Sequence, residues 1–215
     1  MKILFFGDSI TDMRRERTVE DNSVFSYGVG YPNFVIGELD SKFPRKHQVI
    51  NRGISGNRVV DLYARAKLDC WNHKPDLLAI LIGTNDIWAR FNNNGTSNDR
   101  FEKIYRALIE DTIKELPDTK IVLFEPFALP GNVTTNPTDK TIWERFSKIE
   151  ELAVIVKNLA KEYNLNFIPL QEDFNIVSKK YGVENYLFDG VHPAPAGAKL
   201  IADKFLDYFY KNFEN

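Results

Sequence analysis

The sequence has only one cysteine, at position 70, and only three histidines, at positions 47, 73 and 192. A single cysteine excludes an internal disulfide and is typical of a protein from a reducing compartment. So few histidines and thiols, scattered along the chain, offer no cluster of metal ligands, and we expect neither a metal nor another cofactor. No motif surrounds Cys70, which leaves a nucleophilic role for this residue as a minor alternative.

The sequence also lacks a long apolar run and an excess of charge of one sign. No stretch approaches the roughly 18 apolar residues of a membrane-spanning helix, and the N-terminal residues do not show the pattern of a signal peptide. The 28 Lys and Arg residues nearly balance the 30 Asp and Glu residues, and no basic stripe favours nucleic acid. We therefore expect a cytoplasmic protein whose partners include neither a membrane nor a nucleic acid.

Apolar segments alternate with segments of helical periodicity along the whole chain. The apolar segments run almost without interruption, which is typical of parallel strands covered by helices on both faces. The predicted strands are 3–6, 49–50, 77–82, 121–124 and 167–170, and helical spacing is clearest over 101–113, 149–163 and 200–209. This alternation predicts a doubly wound α/β sheet in a single domain that spans residues 1–215.

Short polar motifs stand at the ends of the predicted strands. "GDSIT" (7–11) follows the first strand, "NRGISGN" (51–57) the second and "GTND" (83–86) the third, while "DGVHP" (189–193) lies near the C-terminus. The carboxyl ends of parallel strands meet at one edge of the sheet, where open α/β sheets bind their ligands. The motifs together contain the residue types of a serine hydrolase.

A serine becomes a nucleophile when a base removes its proton and a third group orients that base. His47 and His73 are interpreted as surface loop residues, which leaves His192 as the candidate base for Ser9. Asp189 precedes His192 by three residues, a spacing that lets the carboxylate reach the nearer ring nitrogen. The alternative is structural, because serine and aspartate also cap helices.

An oxyanion site requires hydrogen-bond donors aimed at the charge that develops in the transition state. The candidates are the backbone N–H groups of Ser9 and Gly53 and the side-chain amide of Asn85, each at the end of a predicted strand. Gly53 is chosen among the glycines because it follows its strand directly and permits a close approach of another segment. Asp8 is interpreted as a structural residue that accepts hydrogen bonds from backbone N–H groups.

The four motifs, in this order, resemble those of the SGNH hydrolases, the GDSL family of esterases and lipases. The resemblance implies a three-layer α/β/α sandwich with a five-stranded parallel sheet of order 2-1-3-4-5, the flavodoxin-like SGNH hydrolase fold. It also implies that Ser9 is the nucleophile, that Asp189 and His192 complete the triad, and that Gly53 and Asn85 are oxyanion donors.

The segments "GVGY" (28–31), "RGISGNRVVDLYAR" (52–65) and "NDIW" (85–88) are most similar to the acetylxylan-esterase branch of that family. This resemblance implies a serine esterase that removes short acyl groups, acetyl above all, from carbohydrates such as acetylated xylo-oligosaccharides through an acyl-enzyme. Aromatic and short polar side chains near the motifs suit a sugar, so Asp12, Arg14, Tyr31 and Trp88 are candidate substrate-binding residues.

Two other functions remain open. A lysophospholipase or thioesterase on the same scaffold would act on longer acyl esters and would need an apolar groove. A non-catalytic carbohydrate-binding module would have lost a catalytic residue, and none of the five is missing. Tyr210 and Phe213, which we expect to be exposed on the last helix, suggest a contact surface and hence a homo-oligomer.

Overall fold

The fold is built on a single parallel sheet in the computed structural model, which describes residues 1–214. Its strands are Lys2–Gly7 (β1), Gln48–Gly53 (β2), Leu77–Leu81 (β3), Lys120–Phe124 (β4) and Asn166–Ile168 (β5). They lie in the order β2-β1-β3-β4-β5, and every neighbouring pair is parallel. The predicted parallel sheet and its strand order are therefore confirmed.

Helices cover the sheet on both faces. They are Ser9–Asp12 (α1), Tyr31–Lys42 (α2), Val59–Asp69 (α3), Thr84–Trp88 (α4), Asn98–Glu115 (α5), Thr141–Phe146 (α6), Ile149–Glu162 (α7), Gln171–Tyr181 (α8) and Pro195–Phe213 (α9). Helices α2 and α9 pack against each other, while α5 packs against both α3 and α7. Right-handed crossovers between parallel strands place these two groups of helices on opposite faces, which gives three layers.

The core is built from the uninterrupted apolar strands and from aromatic residues of α2 and α9. The ring of Phe5 in β1 makes edge contacts with Tyr31 and Phe205, at centroid distances of 5.0 and 4.8 Å. All three side chains are fully buried. Burying a side chain of this size stabilises a fold by roughly 1.5–3 kcal/mol, so this cluster holds both helices against β1.

Two expectations about surface residues are wrong. His47 is buried, with its ring edge-on to Phe43 and Phe209 and its Nε2 3.2 Å from a carboxylate oxygen of Glu214. Tyr210 and Phe213 are only partly exposed and pack against the core instead of forming an apolar surface. The helical period predicted that Tyr210 and Phe213 lie on the outer face of α9, but the C-terminal turn of this helix packs over the region around His47.

The carboxyl ends of the adjacent strands β2, β1 and β3 are level with one another. Gly7, the last residue of β1, pairs with Gly53 of β2 and with Leu81 of β3. The segments that follow these residues therefore emerge side by side at one edge of the sheet. None of the helices within residues 1–214 is long and apolar enough to cross a membrane.

Candidate active site

A serine, a histidine and an aspartate form a continuous chain of contacts at the carboxyl edge of the sheet. The Oγ atom of Ser9 lies 2.8 Å from Nε2 of His192, and Nδ1 of the same ring lies 2.6 Å from Oδ2 of Asp189. The other carboxylate oxygen of Asp189 accepts the N–H groups of Val191 and His192, at 2.9 and 2.7 Å. The carboxylate thus fixes the tautomer in which Nε2 can accept the serine proton.

The charges of this pair are mutually stabilising. Burial alone would raise the pKa of Asp189, but the hydrogen bonds from the ring and backbone of His192 and from Val191 outweigh it, and the pKa lies below its ordinary value. Burial alone would lower the pKa of His192, but the Asp189 hydrogen bond, with the charges of Asp189 and Asp8, raises it above its ordinary value. The protonated form of His192 is therefore favoured.

Ser9 owes its position to the short helix that it begins. Asp8 is the N-cap of α1, and its Oδ1 accepts the N–H of Ile10 at 2.9 Å. The Asp8 carboxyl is fully enclosed, and this burial raises its pKa to about 7. The N–H of Ser9, at the start of the helix, makes no hydrogen bond within residues 1–214 and is available to a ligand.

The structure contradicts the assignment of Gly53 as an oxyanion donor. The N–H of Gly53 is buried and already donates to the side-chain oxygen of Asn51 at 2.9 Å. A Cβ at Gly53 would lie 2.1 Å from the backbone nitrogen of Asp12, so the glycine serves the close packing of α1 on β2. Gly56, three residues later, lines the same cavity as Ser9 and has a φ of +84°, which favours glycine.

Asn85 lies beside this glycine, at the start of α4. Its Nδ2 donates to the carbonyl oxygen of Asn57 at 3.0 Å, and it lies 3.4 Å from Oδ2 of Asp8. The second contact is too long to engage the amide strongly, which leaves one N–H for a ligand. Together with the N–H groups of Ser9 and Gly56, the amide of Asn85 supplies a third donor from the ends of three adjacent strands.

These groups surround an open cavity of about 400 Å³. It is lined by Ser9, Ser55, Gly56, Asn85, Trp88, Ala89, Asn92 and His192. Most of the lining is polar or small, with the indole of Trp88 as the one large apolar wall. Such a cavity can hold a small acyl group together with part of a polar leaving group.

Comparison with known proteins identifies the family to which this arrangement belongs. Residues 5–200 match the model of the GDSL-like lipase/acylhydrolase family. The chain belongs to this family. Over 212 residues it is 36% identical to an acetylxylan esterase from Geobacillus stearothermophilus, an alignment that covers 95% of this chain and 92% of that enzyme. The protein is thus a carboxylic ester hydrolase.

Solved structures of GDSL-like proteins share the fold over nearly the whole chain. A Parabacteroides merdae protein designated a GDSL-like lipase superposes with a TM-score of 0.87 at 36% identity, covering 96% of this chain and 94% of its own. Axe2, an acetylxylan esterase from Geobacillus stearothermophilus, superposes with a TM-score of 0.84 at 34% identity, covering 99% and 94%. The fold implied by the sequence motifs is therefore the fold of the GDSL esterases.

Asp12, a candidate substrate-binding residue, is instead a buried anchor in this GDSL hydrolase. Its Oδ1 accepts the N–H of Arg15 at 3.2 Å, and its Oδ2 pairs with the guanidinium of Arg17. The same Oδ2 accepts the N–H and hydroxyl of Ser55, at 2.9 and 3.1 Å. With its oxygens occupied, the carboxylate holds the loop that carries Gly56 and has no face left for a sugar.

The assignment of Tyr31 to the substrate site is also wrong, whereas that of Arg14 stays a prediction. Tyr31 is fully buried, its hydroxyl lies 3.0 Å from Oγ1 of Thr11, and its ring packs on Phe5 and Phe124. Arg14 is exposed, has a φ of +62° and does not line the cavity. The sequence does not show on which side of α2 the core lies, and this misled the assignment of Tyr31, whereas Trp88 does line the cavity.

Sequence reasoning missed one aromatic residue at the site. The ring of Phe188 stacks on His192 with a centroid distance of 5.7 Å and an interplanar angle of 19°, although the residue is 51% exposed. The indole of Trp88 approaches the same imidazole at 6.1 Å. The only signal for Phe188 in the sequence is its place next to Asp189, and it narrows the approach to the histidine.

The loop after β4 braces the turn that carries Asp189. The N–H groups of Leu129 and Val133 donate to the carbonyl oxygens of Gly190 and Asp189, at 2.8 and 3.1 Å. Gly131 packs so closely on this turn that a Cβ there would lie 2.5 Å from the Asp189 carbonyl. This Pro- and Gly-rich segment therefore supports the turn that carries Asp189 and His192.

The described residues offer the site neither a cluster of metal ligands nor a reactive thiol. Within residues 1–214, no three or more His, Cys, Asp or Glu side chains are grouped so that they could hold a metal ion. Cys70 is buried at the end of α3, and burial raises the pKa of its thiol to about 12. A thiol with such a pKa stays protonated at neutral pH and is a poor nucleophile.

Proposed function

We propose that the protein is a serine esterase that removes acetyl groups from small carbohydrates such as acetylated xylo-oligosaccharides. The observation that carries the proposal is the contact chain Ser9–His192–Asp189 at the mouth of a small, mostly polar cavity. An acetyl group fits beside Ser9, and the amide and hydroxyl groups of the lining suit a sugar. Trp88 provides the flat apolar surface on which a pyranose ring can lie.

The reaction begins when Ser9 Oγ attacks the ester carbonyl carbon while His192 Nε2 takes the hydroxyl proton. Asp189 holds the imidazolium in place. The N–H groups of Ser9 and Gly56 and the amide of Asn85 stabilise the negative carbonyl oxygen. The tetrahedral intermediate collapses by breaking the bond to the sugar oxygen, which receives the proton from His192.

Acetyl-Ser9 is then hydrolysed by water in the same way. His192 accepts a proton from the water as its oxygen attacks the acyl carbon. Collapse of the second tetrahedral intermediate breaks the bond to Ser9 Oγ, which recovers the proton, and acetate leaves. The enzyme returns to its starting protonation state, so no cofactor enters the cycle.

The relatives support both the residues and the substrate class. Axe2 is described as an acetylxylan esterase and as an acetyl-xylooligosaccharide esterase. Its catalytic mutants replace a serine, an aspartate and a histidine by alanine, and that aspartate and histidine are three residues apart, as are Asp189 and His192. We assign the same roles to Ser9, Asp189 and His192.

The chain-length profile of hydrolysis tests the substrate class. Initial rates are measured on p-nitrophenyl acetate, butyrate and octanoate, together with acetate release from acetylated xylo-oligosaccharides. We expect the highest rate on the acetate ester and rapid release from the oligosaccharide, because the cavity has little apolar lining. A maximum on octanoate would refute the assignment to acetylated sugars and favour a lysophospholipase or thioesterase.

A further inference from the structure

Arg65 is a mostly buried cation that the proposed mechanism does not use. It lies on α3, and only 14% of its side chain is exposed. Its guanidinium carbon stands 4.4 Å from the centre of the Phe6 ring. Burial lowers the pKa of Arg65 despite the opposing effect of Asp69. Removing this charge from water therefore costs the folded state free energy.

The guanidinium joins two of the segments that carry oxyanion donors. Its Nη2 donates to the carbonyl oxygen of Gly7 at 3.0 Å, two residues before Ser9. Its Nε donates to Oδ1 of Asn57 at 2.7 Å, in the residue next to Gly56. The third direction is taken by Asp69, whose Oδ2 accepts from Nη1 at 3.0 Å and orients the group from its own helix.

Asn57 extends the connection to the third segment. Its carbonyl oxygen accepts the amide of Asn85 at 3.0 Å, the only firm hydrogen bond of that amide among residues 1–214. The position of Asn57 therefore sets the orientation of Asn85. One guanidinium, through Gly7 and Asn57, fixes the spacing of the three strand ends at which the donors stand.

We propose that Arg65 is a positioning residue for the oxyanion site, an inference that rests on the proposed esterase function. It does not line the cavity and does not touch the substrate. It acts by holding Gly7 and Asn57 at a fixed separation through the planar fork of its guanidinium. Lysine retains the charge but concentrates its donors on one nitrogen, which cannot reach partners in three separate directions.

The expected effect is on the chemical step. Displacement of a catalytic group by about 1 Å costs up to about 10²-fold in rate, and loss of a whole oxyanion donor costs about 10²–10³-fold. A loosened but intact oxyanion site should lie at the lower end of this range. We expect Arg65→Lys to lower kcat on p-nitrophenyl acetate by about tenfold or more, with KM changed by less than about twofold.

Arg106→Lys is the matched control. Arg106 is on α5, where its guanidinium pairs with Glu102 and Glu162 and stands over the ring of Tyr163. The exchange therefore removes a comparable set of contacts without touching a donor segment, and kcat should remain within about twofold of wild type. Equal losses of kcat in the two variants would overturn the proposal.

Asn57→Ala provides the second variant and a double-mutant cycle. It removes the side-chain amide that Arg65 holds but leaves the carbonyl that Asn85 contacts. We expect a lower kcat at nearly constant KM, and a loss in the Arg65→Lys/Asn57→Ala double variant well below the product of the single losses. If the loss of kcat in the double variant equals the product of the two single losses, the proposed link between Arg65 and Asn57 is overturned. If Arg65→Lys does not fold, an unchanged kcat in Asn57→Ala alone would overturn the proposal.

Wild type and Ser9→Ala are assayed in the same series, with thermal unfolding followed for every variant. Turnover that depends on Ser9 but is indifferent to Arg65 and Asn57 would overturn this inference and leave the proposed function intact. Wild type without any turnover that depends on Ser9 would overturn the proposed function and the positioning role with it.

Discussion

Replacement of Asp8 by asparagine should change how the stability of the protein depends on pH. Asp8 is completely buried as the cap of α1, between Ser9 and Asn85. Burial raises its pKa from 3.8 to about 7, while the N–H of Ile10 and the charge of His192 oppose the shift. Asparagine keeps the size of the side chain and an oxygen that can accept from Ile10, but it has no charge to bury.

The sign of this pH dependence follows from the proton that Asp8 retains in the folded state. Below pH 3.8 Asp8 is protonated in both states, so burial of the carboxyl carries no electrostatic penalty. Between pH 3.8 and 7 the unfolded chain ionises first, and stability is lost as pH rises through this window. A shift of about 3 pKa units at 1.36 kcal/mol each corresponds to a loss of about 4 kcal/mol by pH 9.

Urea unfolding at several pH values between 4 and 9 measures the effect. The difference in unfolding free energy, Asp8→Asn minus wild type, should grow by about 4 kcal/mol over this range. Effects of the substitution that do not depend on pH, such as the changed contact with Asn85, shift all values equally and cancel. A constant difference from pH 4 to 9 would refute the inference that Asp8 is buried as a neutral acid.

Three further outcomes are expected from the site. Asn85→Ala should lower kcat by about 10²–10³ with little change in KM, and a change confined to KM would contradict an oxyanion role. The rate should fall with decreasing pH as His192 becomes protonated, with a midpoint above the ordinary value of 6.5 because its pKa is raised; a midpoint below 6.5 would contradict the pairing seen here. Gly53→Ala should destabilise the fold strongly, because its Cβ would lie 2.1 Å from the backbone nitrogen of Asp12. The Cβ of Gly56→Ala would lie in open space, so this variant should lose only about 1 kcal/mol of unfolding free energy, for its positive φ. Comparable losses in thermal unfolding of these two glycine variants would contradict their different environments.

The strands could be predicted from the sequence because burial on both faces leaves a clear pattern. The segments 3–6 and 121–124 lie within β1 and β4, and only their ends differ by one residue. Helix α8 was not recognised, since its apolar residues are few and Phe174 alone is buried. Apolar periodicity arises from the buried face of a helix, so a helix that lies mostly in solvent shows only a weak periodic pattern.

The site was less predictable where it depends on tertiary contacts. The spacing of Asp189 and His192 follows from one local turn, so the sequence could suggest their contact. The choice between Gly53 and Gly56 depends on a hydrogen bond from Gly53 to Asn51, which no motif reveals. Tyr31 was misassigned for the same reason, because the sequence does not show on which side of α2 the core lies.

The central claim is that Ser9 becomes acylated, and mass spectrometry of the quenched enzyme tests it most directly. Wild type is mixed with p-nitrophenyl acetate, quenched in acid within the first turnovers and digested. We expect one added acetyl group on the peptide that contains Ser9, and none in Ser9→Ala treated in the same way. Two results would contradict the assignment of Ser9 as the nucleophile. One is an acetyl group on another residue that is lost at the rate of ester hydrolysis, and the other is undiminished turnover in Ser9→Ala.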